Sequence, residues 1–121
     1  MAENKLANMS TEFAIQILKL TDSIKWHYSL SNQLERSGTS IGANIREAKY
    51  AHSRPDFIAK LQIALKECYE TEYWIEIAQK AGLKTENSVW FPLFWMRKKR
   101  DAKKSDAYAS DFFIYSRGVI P

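Results

Sequence analysis

The segment 29–51, SLSNQLERSGTSIGANIREAKYA, constrains the fold most, because an apolar stripe and a polar stripe run along it side by side. Its apolar residues recur at steps of three and four, the period of an amphipathic helix. Ser29 or Ser31 is predicted to cap the start of this helix through its hydroxyl. Gly38 and Gly42 each lower helix stability by about 1 kcal/mol relative to alanine. Two such residues indicate a face that another backbone approaches closely. The apolar stripe consists of Leu30, Leu34, Ile41, Ile45 and Ala48, with Ser37 in the gap.

The polar stripe consists of Arg36, Ser40, Asn44 and Glu47, which share one side of the predicted helix. One interpretation is a ligand or nucleic-acid surface. The commoner one is a hydrogen-bonded layer that fixes helix register or oligomer geometry. Arg36 and Glu47 lie three turns apart, so each needs a partner on another helix. Glu70 or Glu72 is predicted to serve Arg36.

Two further helices are predicted around this segment, over residues of about 11–27 and 54–81, with the central helix over about 30–52. Ser10 or Thr11 is expected to cap the first helix. Trp26 and Tyr28 are expected to close the end of the core or, as the less common alternative, to contact a neighbour. The first helix presents Phe13, Ile17, Leu20 and Ile24 at helical spacing.

The third helix begins with a capping signal, in which Ser53 precedes Asp56 by three residues. Gly82 occupies the C-terminal capping position. Cys68 lies on the apolar side, so we interpret it as a small core residue and not as a reactive thiol. That apolar side carries Phe57, Leu61, Ala64, Leu65, Cys68, Ile75 and Ala78.

Two motifs carry a family resemblance: QLxRSxTSIGANIxEA over residues 33–48 and DFI…LxIALKE…ExEYW over residues 56–74. Together they resemble the bacterial four-helix-bundle family of 23S rRNA-intervening sequence proteins, across roughly residues 12–83. The resemblance implies an up-and-down bundle and commonly a homopentamer. The family includes the accessory protein of diversity-generating retroelements, which works with a reverse transcriptase and nucleic acid. Most members have no established activity.

The predicted fold is therefore an all-α, antiparallel up-and-down four-helix bundle, with a helical domain over residues 1–90. Residues 91–121 depart from the family pattern, because aromatic residues, a proline and a basic run replace an amphipathic helix. A reading frame that starts at the third base of the Phe94 codon encodes Leu and then Asp. Its third codon encodes Ala or Glu, and the next two codons are compatible with Glu-Glu. That is an acid-rich opening for a helix. We hypothesise that the residues from about 88 onward are a frameshifted last helix.

Charge divides the chain in the same place. Residues 1–90 hold 11 basic and 11 acidic residues, so the net charge of +4 comes entirely from residues 91–121. If the frame is native, the basic run could contact phosphates, although such a run is more often a solvated tail. Candidate nucleic-acid contacts are Arg46, Lys49 and Lys60 on the bundle, and Arg97, Lys98, Lys99 and Arg100 in the tail.

The leading functional prediction is a non-enzymatic, oligomeric binding or scaffold protein that associates with RNA. The alternative is a protein-interaction adaptor for a reverse transcriptase or another enzyme, which the neutral bundle favours. Assembly is expected through the polar, glycine-containing side of the central helix and the outer side of the third helix. The expected interface residues are Tyr50, Tyr69, Tyr73 and Trp74 with the stripe and Glu72.

Other classes of function have little support in the sequence. No glycine-rich phosphate loop is present, and the two histidines and single cysteine give no metal-binding spacing. We therefore expect no cofactor, no metal and no enzymatic activity. Neither a secretory signal nor an apolar run of membrane-spanning length occurs, so we expect a cytoplasmic protein that does not contact a membrane.

Overall fold

A computed structural model describes residues 5–83 and residue 85. These residues form three α-helices, α1 (Lys5–Ser23), α2 (Tyr28–Lys49) and α3 (Arg54–Lys80), and no strand. Helix α2 lies between the other two, since α1 and α3 both make their main interhelical contacts with it. The prediction of an all-α fold is confirmed. The predicted fourth helix and the segment 91–121 lie outside the described residues.

One apolar core runs through all three helices. The predicted stripe of α2 is confirmed, because Leu34, Ile41 and Ile45 are at most 2% exposed and only Leu30 is half-buried. The predicted apolar side of α3 is also confirmed, except that Leu65 is only half-buried. Burial of this apolar surface is the main favourable term in folding. The core also includes Phe13, Ile17, Leu20, Ile24, Ala48, Phe57, Leu61, Ala64, Cys68 and Ile75.

The first helix begins at Lys5, six residues before the predicted start. Ser10 and Thr11 were expected to cap it, and that prediction is wrong. Both hydroxyls donate to the carbonyl of Ala7 inside the helix, at 2.7 and 3.0 Å. Serine and threonine can bond backward within a helix in this way. The buried side chain of Leu6 extends the apolar stripe and explains the earlier start.

The connection between α1 and α2 also differs from the prediction. Helix α2 follows His27, whose side chain makes no capping hydrogen bond, so neither Ser29 nor Ser31 is the N-cap. The Ser31 hydroxyl is buried and donates to the carbonyl of Thr21 at 3.2 Å, which ties α2 to α1. Trp26 and Tyr28 do not close the core, since they are 70% and 74% exposed. Ile24, which precedes them, is buried, as the apolar stripe of the first helix predicted.

The capping predictions for α3 are confirmed. The Ser53 hydroxyl accepts a hydrogen bond from the Asp56 amide at 3.2 Å, and Pro55 lies in the first turn. At the other end, Gly82 has a φ of +78°, in the left-handed region that glycine adopts without a steric penalty. Helices α2 and α3 end one to three residues before their predicted ends, at Lys49 and Lys80.

The two glycines of α2 face α1, within the same chain. A Cβ on Gly38 would lie 2.8 Å from both γ carbons of Ile17, and one on Gly42 would lie 3.1 Å from the Ser10 hydroxyl oxygen. The expected close approach of another backbone is therefore present. The expected use of this glycine side in assembly is wrong, because α1 already covers it.

Candidate interaction surfaces

The polar stripe of α2 lies on the flank that faces α3. Arg36 at its start forms ion pairs with Glu67, at 3.3 Å, and with Glu70. Its Nε also donates to the Gln33 side chain at 3.1 Å. Glu70 is thus one of the two partners that the sequence predicted, and Glu67 was missed. Glu72 does not reach Arg36, because it is half-buried at a position two residues further along the helix, on another side of α3.

The rest of the stripe is also engaged in hydrogen bonds or ion pairs. The Asn44 amide donates to the Ser40 carbonyl at 2.8 Å and to the Ser40 hydroxyl at 3.1 Å. Glu47 accepts a hydrogen bond from Lys60 of α3 at 2.9 Å. The two ends of the stripe therefore bind α3 and fix how far α2 and α3 slide past each other. Ser40 and Asn44 in the middle remain half-buried.

A buried hydroxyl pair lies beneath this surface. Ser37 and Thr71 are fully buried, and their hydroxyl oxygens are 2.9 Å apart. Each also lies within hydrogen-bond distance of a carbonyl of its own helix, Gln33 for Ser37 at 2.9 Å and Glu67 for Thr71 at 2.7 Å. Each hydroxyl has one proton, so one hydroxyl bonds its carbonyl while the other donates across the helix interface. The sequence did not single out Thr71, because threonine breaks the apolar pattern of α3.

Replacing one member of this pair should lower the free energy of unfolding by more, per substitution, than replacing both members. We expect Thr71→Val to lower the free energy of unfolding by about 1–2 kcal/mol, since the buried Ser37 hydroxyl loses its cross-helix partner. In the double variant, Thr71→Val with Ser37→Ala, the second change should add less than its single-variant effect. A double-mutant cycle from urea unfolding measures this coupling. Strict additivity would show that the two hydroxyls act independently.

The exposed ion pairs of Arg36 should contribute little to stability. Its side chain is 48% exposed, and such pairs contribute at most about 1 kcal/mol. We therefore expect Arg36→Met to change the free energy of unfolding of the monomer by less than about 1 kcal/mol. Urea unfolding at 0.1 and 1 M salt measures this effect. A loss above 3 kcal/mol would mean that the pair is buried in the solution state.

The structure does not bring all three basic candidate residues of the bundle together, because Arg46 contacts α1 whereas Lys60 contacts Glu47 of the polar stripe. Arg46 points toward α1 and donates to the Thr11 hydroxyl at 3.0 Å. Lys49 lies 5.8 Å from the ring centre of Tyr50. Lys60 lies on the opposite flank, where its ion pair with Glu47 raises its pKa. Arg97, Lys98, Lys99 and Arg100 lie outside the described residues.

Exposed apolar side chains form the remaining surface features. On α3, Tyr69 and Tyr73 are 43% and 55% exposed, Ile63 is 41% exposed, and Trp74 is half-buried against the core. The indole N–H of Trp74 is buried and has no hydrogen-bond partner among the described residues. On α1, Ile15 and Leu18 are similarly exposed, and Tyr50 at the end of α2 is 79% exposed.

The titratable groups of the described region show one strong perturbation. Burial raises the pKa of the Cys68 thiol well above its usual range, and the nearby Glu67 and Glu72 charges raise it further. The thiol is therefore protonated at neutral pH, and the sequence interpretation of Cys68 as a core residue is confirmed.

Within residues 5–83 and 85, acidic, histidine and cysteine side chains do not cluster as metal ligands would. None of the helices described has the length and apolar character needed to cross a membrane.

Comparison with known proteins identifies the family to which this helical chain belongs. The family model of the 23S rRNA-intervening sequence protein matches residues 2–90, and the chain belongs to that family. A solved structure from Bacteroides thetaiotaomicron, described as a protein with unknown function from the S23 ribosomal protein family, shares 36% identity with it. The two superimpose with a TM-score of 0.64 over 94% of each chain. No curated protein matches the chain.

Proposed function

We propose that this protein is a non-enzymatic scaffold that assembles into a homo-oligomer, a pentamer by family resemblance, and associates with RNA. The observation that supports it most is the surface of α2 and α3, where polar groups that bond each other lie beside exposed apolar side chains. Charged side chains there are engaged in ion pairs such as Arg36 with Glu67 and Glu47 with Lys60. This arrangement suits a surface that holds helices together better than one that binds and transforms a substrate.

Exposed apolar groups on two helices support assembly. Tyr73 and Ile63 on α3, and Ile15 and Leu18 on α1, are each between 41% and 55% exposed. Removing apolar surface from water contributes about 25 cal/mol per Å², so covering these side chains favours association. Tyrosine and tryptophan are also enriched in interface cores, which fits Tyr69 and Trp74. The interface assigned here is the outer side of α3 with the α2 stripe, without the glycines that α1 covers.

Association with RNA rests on the RNA-related family name and on the cations that an oligomer would repeat. Arg46 and Lys49 are exposed near the end of α2, and each copy of the chain would add such a pair to an assembly. Repeated cations release counterions from a polyanion and so give a salt-dependent affinity. The neutral charge of residues 1–90 supports the competing adaptor function, in which a reverse transcriptase or another enzyme is the partner. Either function is consistent with a cytoplasmic protein.

A salt titration of RNA binding, with mass measured by light scattering in the same buffers, tests the proposal. The wild-type chain is compared with one variant that carries Arg46→Gln and Lys49→Gln, and another with Arg97, Lys98, Lys99 and Arg100 all changed to Gln. We expect an oligomer whose affinity falls steeply with salt and weakens in the first variant. If only the tail variant loses binding, the bundle is a scaffold and the tail contacts RNA. If wild type does not bind at low salt, the adaptor function replaces the proposal.

We also propose that the residues from about 88 onward are a frameshifted version of the family's last helix. The family match ends at residue 90, close to where the sequence pattern changes. Resequencing the gene across this region tests the hypothesis. An alternative frame with an amphipathic, acid-rich opening after codon 94 supports it, and a frame interrupted by stop codons contradicts it. If that alternative frame is found, the basic run at residues 97–100 is a product of the frameshift and has no function.

A further inference from the structure

Helix α1 carries an apolar patch on the side that faces away from the core. Ile15 and Leu18 are 48% and 45% exposed, and they lie three residues apart, so their side chains share one side of the helix. Phe13 and Ile17, which are at most 1% exposed, lie on the buried side. Asp22 follows Leu18 by four residues and lies on the same outer side. Ile15, Leu18 and Asp22 form the α1 patch.

Helix α3 carries a comparable patch on its own outer side. Ile63 and Tyr73 are 41% and 55% exposed. Lys66 and Glu70 lie between them at steps of three and four residues, so all four side chains share one side of the helix and form the α3 patch. Because α2 lies between α1 and α3, the two patches are separate surfaces of the chain.

Each patch contains one charge without a close partner. In the α3 patch, Glu70 pairs with Arg36, whereas Lys66 is exposed and forms no ion pair with any described residue. In the α1 patch, Asp22 makes only a loose contact with Lys25, at 3.9 Å, and its side chain is 81% exposed. The two charges have opposite signs. Two copies of the same patch would instead bring like charges together, which is unfavourable in an interface.

The two patches therefore complement each other better than either complements itself. We propose that the α1 patch of one copy packs against the α3 patch of the next copy. Such a contact is heterologous, and it closes into a ring when the rotation between successive copies allows, because every copy offers both patches. Covering the four exposed apolar side chains removes apolar surface from water and favours the contact. This inference rests on the proposed assembly and names the face of a second copy that meets the outer side of α3.

Mixing two variants of the full-length chain tests the contact. One variant carries Ile15→Glu and Leu18→Glu in the α1 patch, and the other carries Ile63→Glu and Tyr73→Glu in the α3 patch. Light scattering should show that each variant alone has the mass of one chain. An equimolar mixture should show twice that mass, because one intact patch of each kind remains and forms a single contact. Trp26→Glu with Tyr28→Glu, which replaces two exposed side chains outside both patches, is the matched control and should keep the wild-type mass.

The outcomes separate this inference from the proposed function. If the wild-type chain is monomeric across a concentration series, the proposed assembly and the heterologous contact are both wrong. If wild type assembles but either patch variant keeps its mass, that patch lies outside the interface and only the heterologous contact is wrong. A mixture that stays monomeric, or a control that also dissociates, likewise overturns the contact. Far-ultraviolet circular dichroism should show unchanged helicity in every variant, because the replaced side chains are exposed.

Discussion

Gly38→Val should lower the free energy of unfolding by about 3 kcal/mol, which is near the upper end of the effects of overpacking a core. A Cβ at this position would already lie 2.8 Å from two carbons of Ile17, a residue with no exposed surface. Valine adds two further carbons in the same space. The gain in helix propensity over glycine offsets less than about 1 kcal/mol. Helix α1 must therefore move away from α2, which exposes apolar surface along their contact.

Gly42→Ala is the matched control, one turn further along the same face. There the added Cβ would meet the Ser10 side chain, with its nearest atom at 3.1 Å, which a small shift relieves. Alanine also gains about 1 kcal/mol of helix propensity, so we expect a stability within about 1 kcal/mol of wild type. Urea unfolding followed by circular dichroism measures both variants. Equal losses at the two positions would contradict the role of the Ile17 contact.

The Ile17 contact can be isolated with a second substitution. Ile17→Ala removes both γ carbons that the Gly38 side chain would strike, and alone it should lower the free energy of unfolding by about 2–5 kcal/mol through the cavity it leaves. Combined with Gly38→Val, it should lower the free energy by less than the two separate effects together, because valine then fills part of that cavity. Additive losses would mean that the strain at Gly38 arises elsewhere.

Helical periodicity explains why much of the fold could be predicted. The apolar residues of α2 and α3 recur with a helical period, and period alone assigns them to one buried side. The ends of α1 and α2 were less predictable. Ser10 and Ser31 have the hydroxyl of a capping residue. Ser10 instead bonds the Ala7 carbonyl within α1, which begins earlier than predicted, and Ser31 bonds the Thr21 carbonyl, a contact that only the packing of α2 against α1 defines. Likewise, Trp26 was expected to close the core but is 70% exposed, whereas Ile24, already part of the predicted apolar stripe of α1, is buried.

The candidate surfaces were predictable as faces but not as contacts. Spacing shows that Arg36 and Glu47 share one side of α2, yet it does not show how far α3 slides along that side. The choice of Glu67 and Glu70 over Glu72, and of Lys60 for Glu47, depends on this axial register. The glycine face was expected to meet a neighbour, and the identity of that neighbour as α1 required the topology. The family motifs predict a helical bundle, of which the all-α character is confirmed for the described residues, but they do not identify a partner.

The buried thiol of Cys68 should make the protein less stable as pH rises above about 8.5, the usual pKa of an exposed cysteine. Burial raises the pKa of this thiol in the folded state, so the folded chain keeps its proton where the unfolded chain releases it. The stability tied to this group is thus complete below pH 8.5 and is lost at about 1.4 kcal/mol per pH unit above it. Urea unfolding between pH 8 and 9.5, below the usual pKa values of tyrosine and lysine, measures the slope.

Cys68→Ala provides the control, because it removes the titrating group while leaving a small apolar side chain in the core. This variant should show a flat dependence over the same pH range, whatever its stability at pH 7. Modification by a thiol reagent gives a second measurement on the wild-type chain. At pH 8 the native thiol should react more than about a hundredfold more slowly than in urea, because reaction requires an opening that exposes it and lets it ionise. A rapid native reaction, or an equal pH slope in Cys68→Ala, would contradict the burial of this group and with it the packing of α3 against the core.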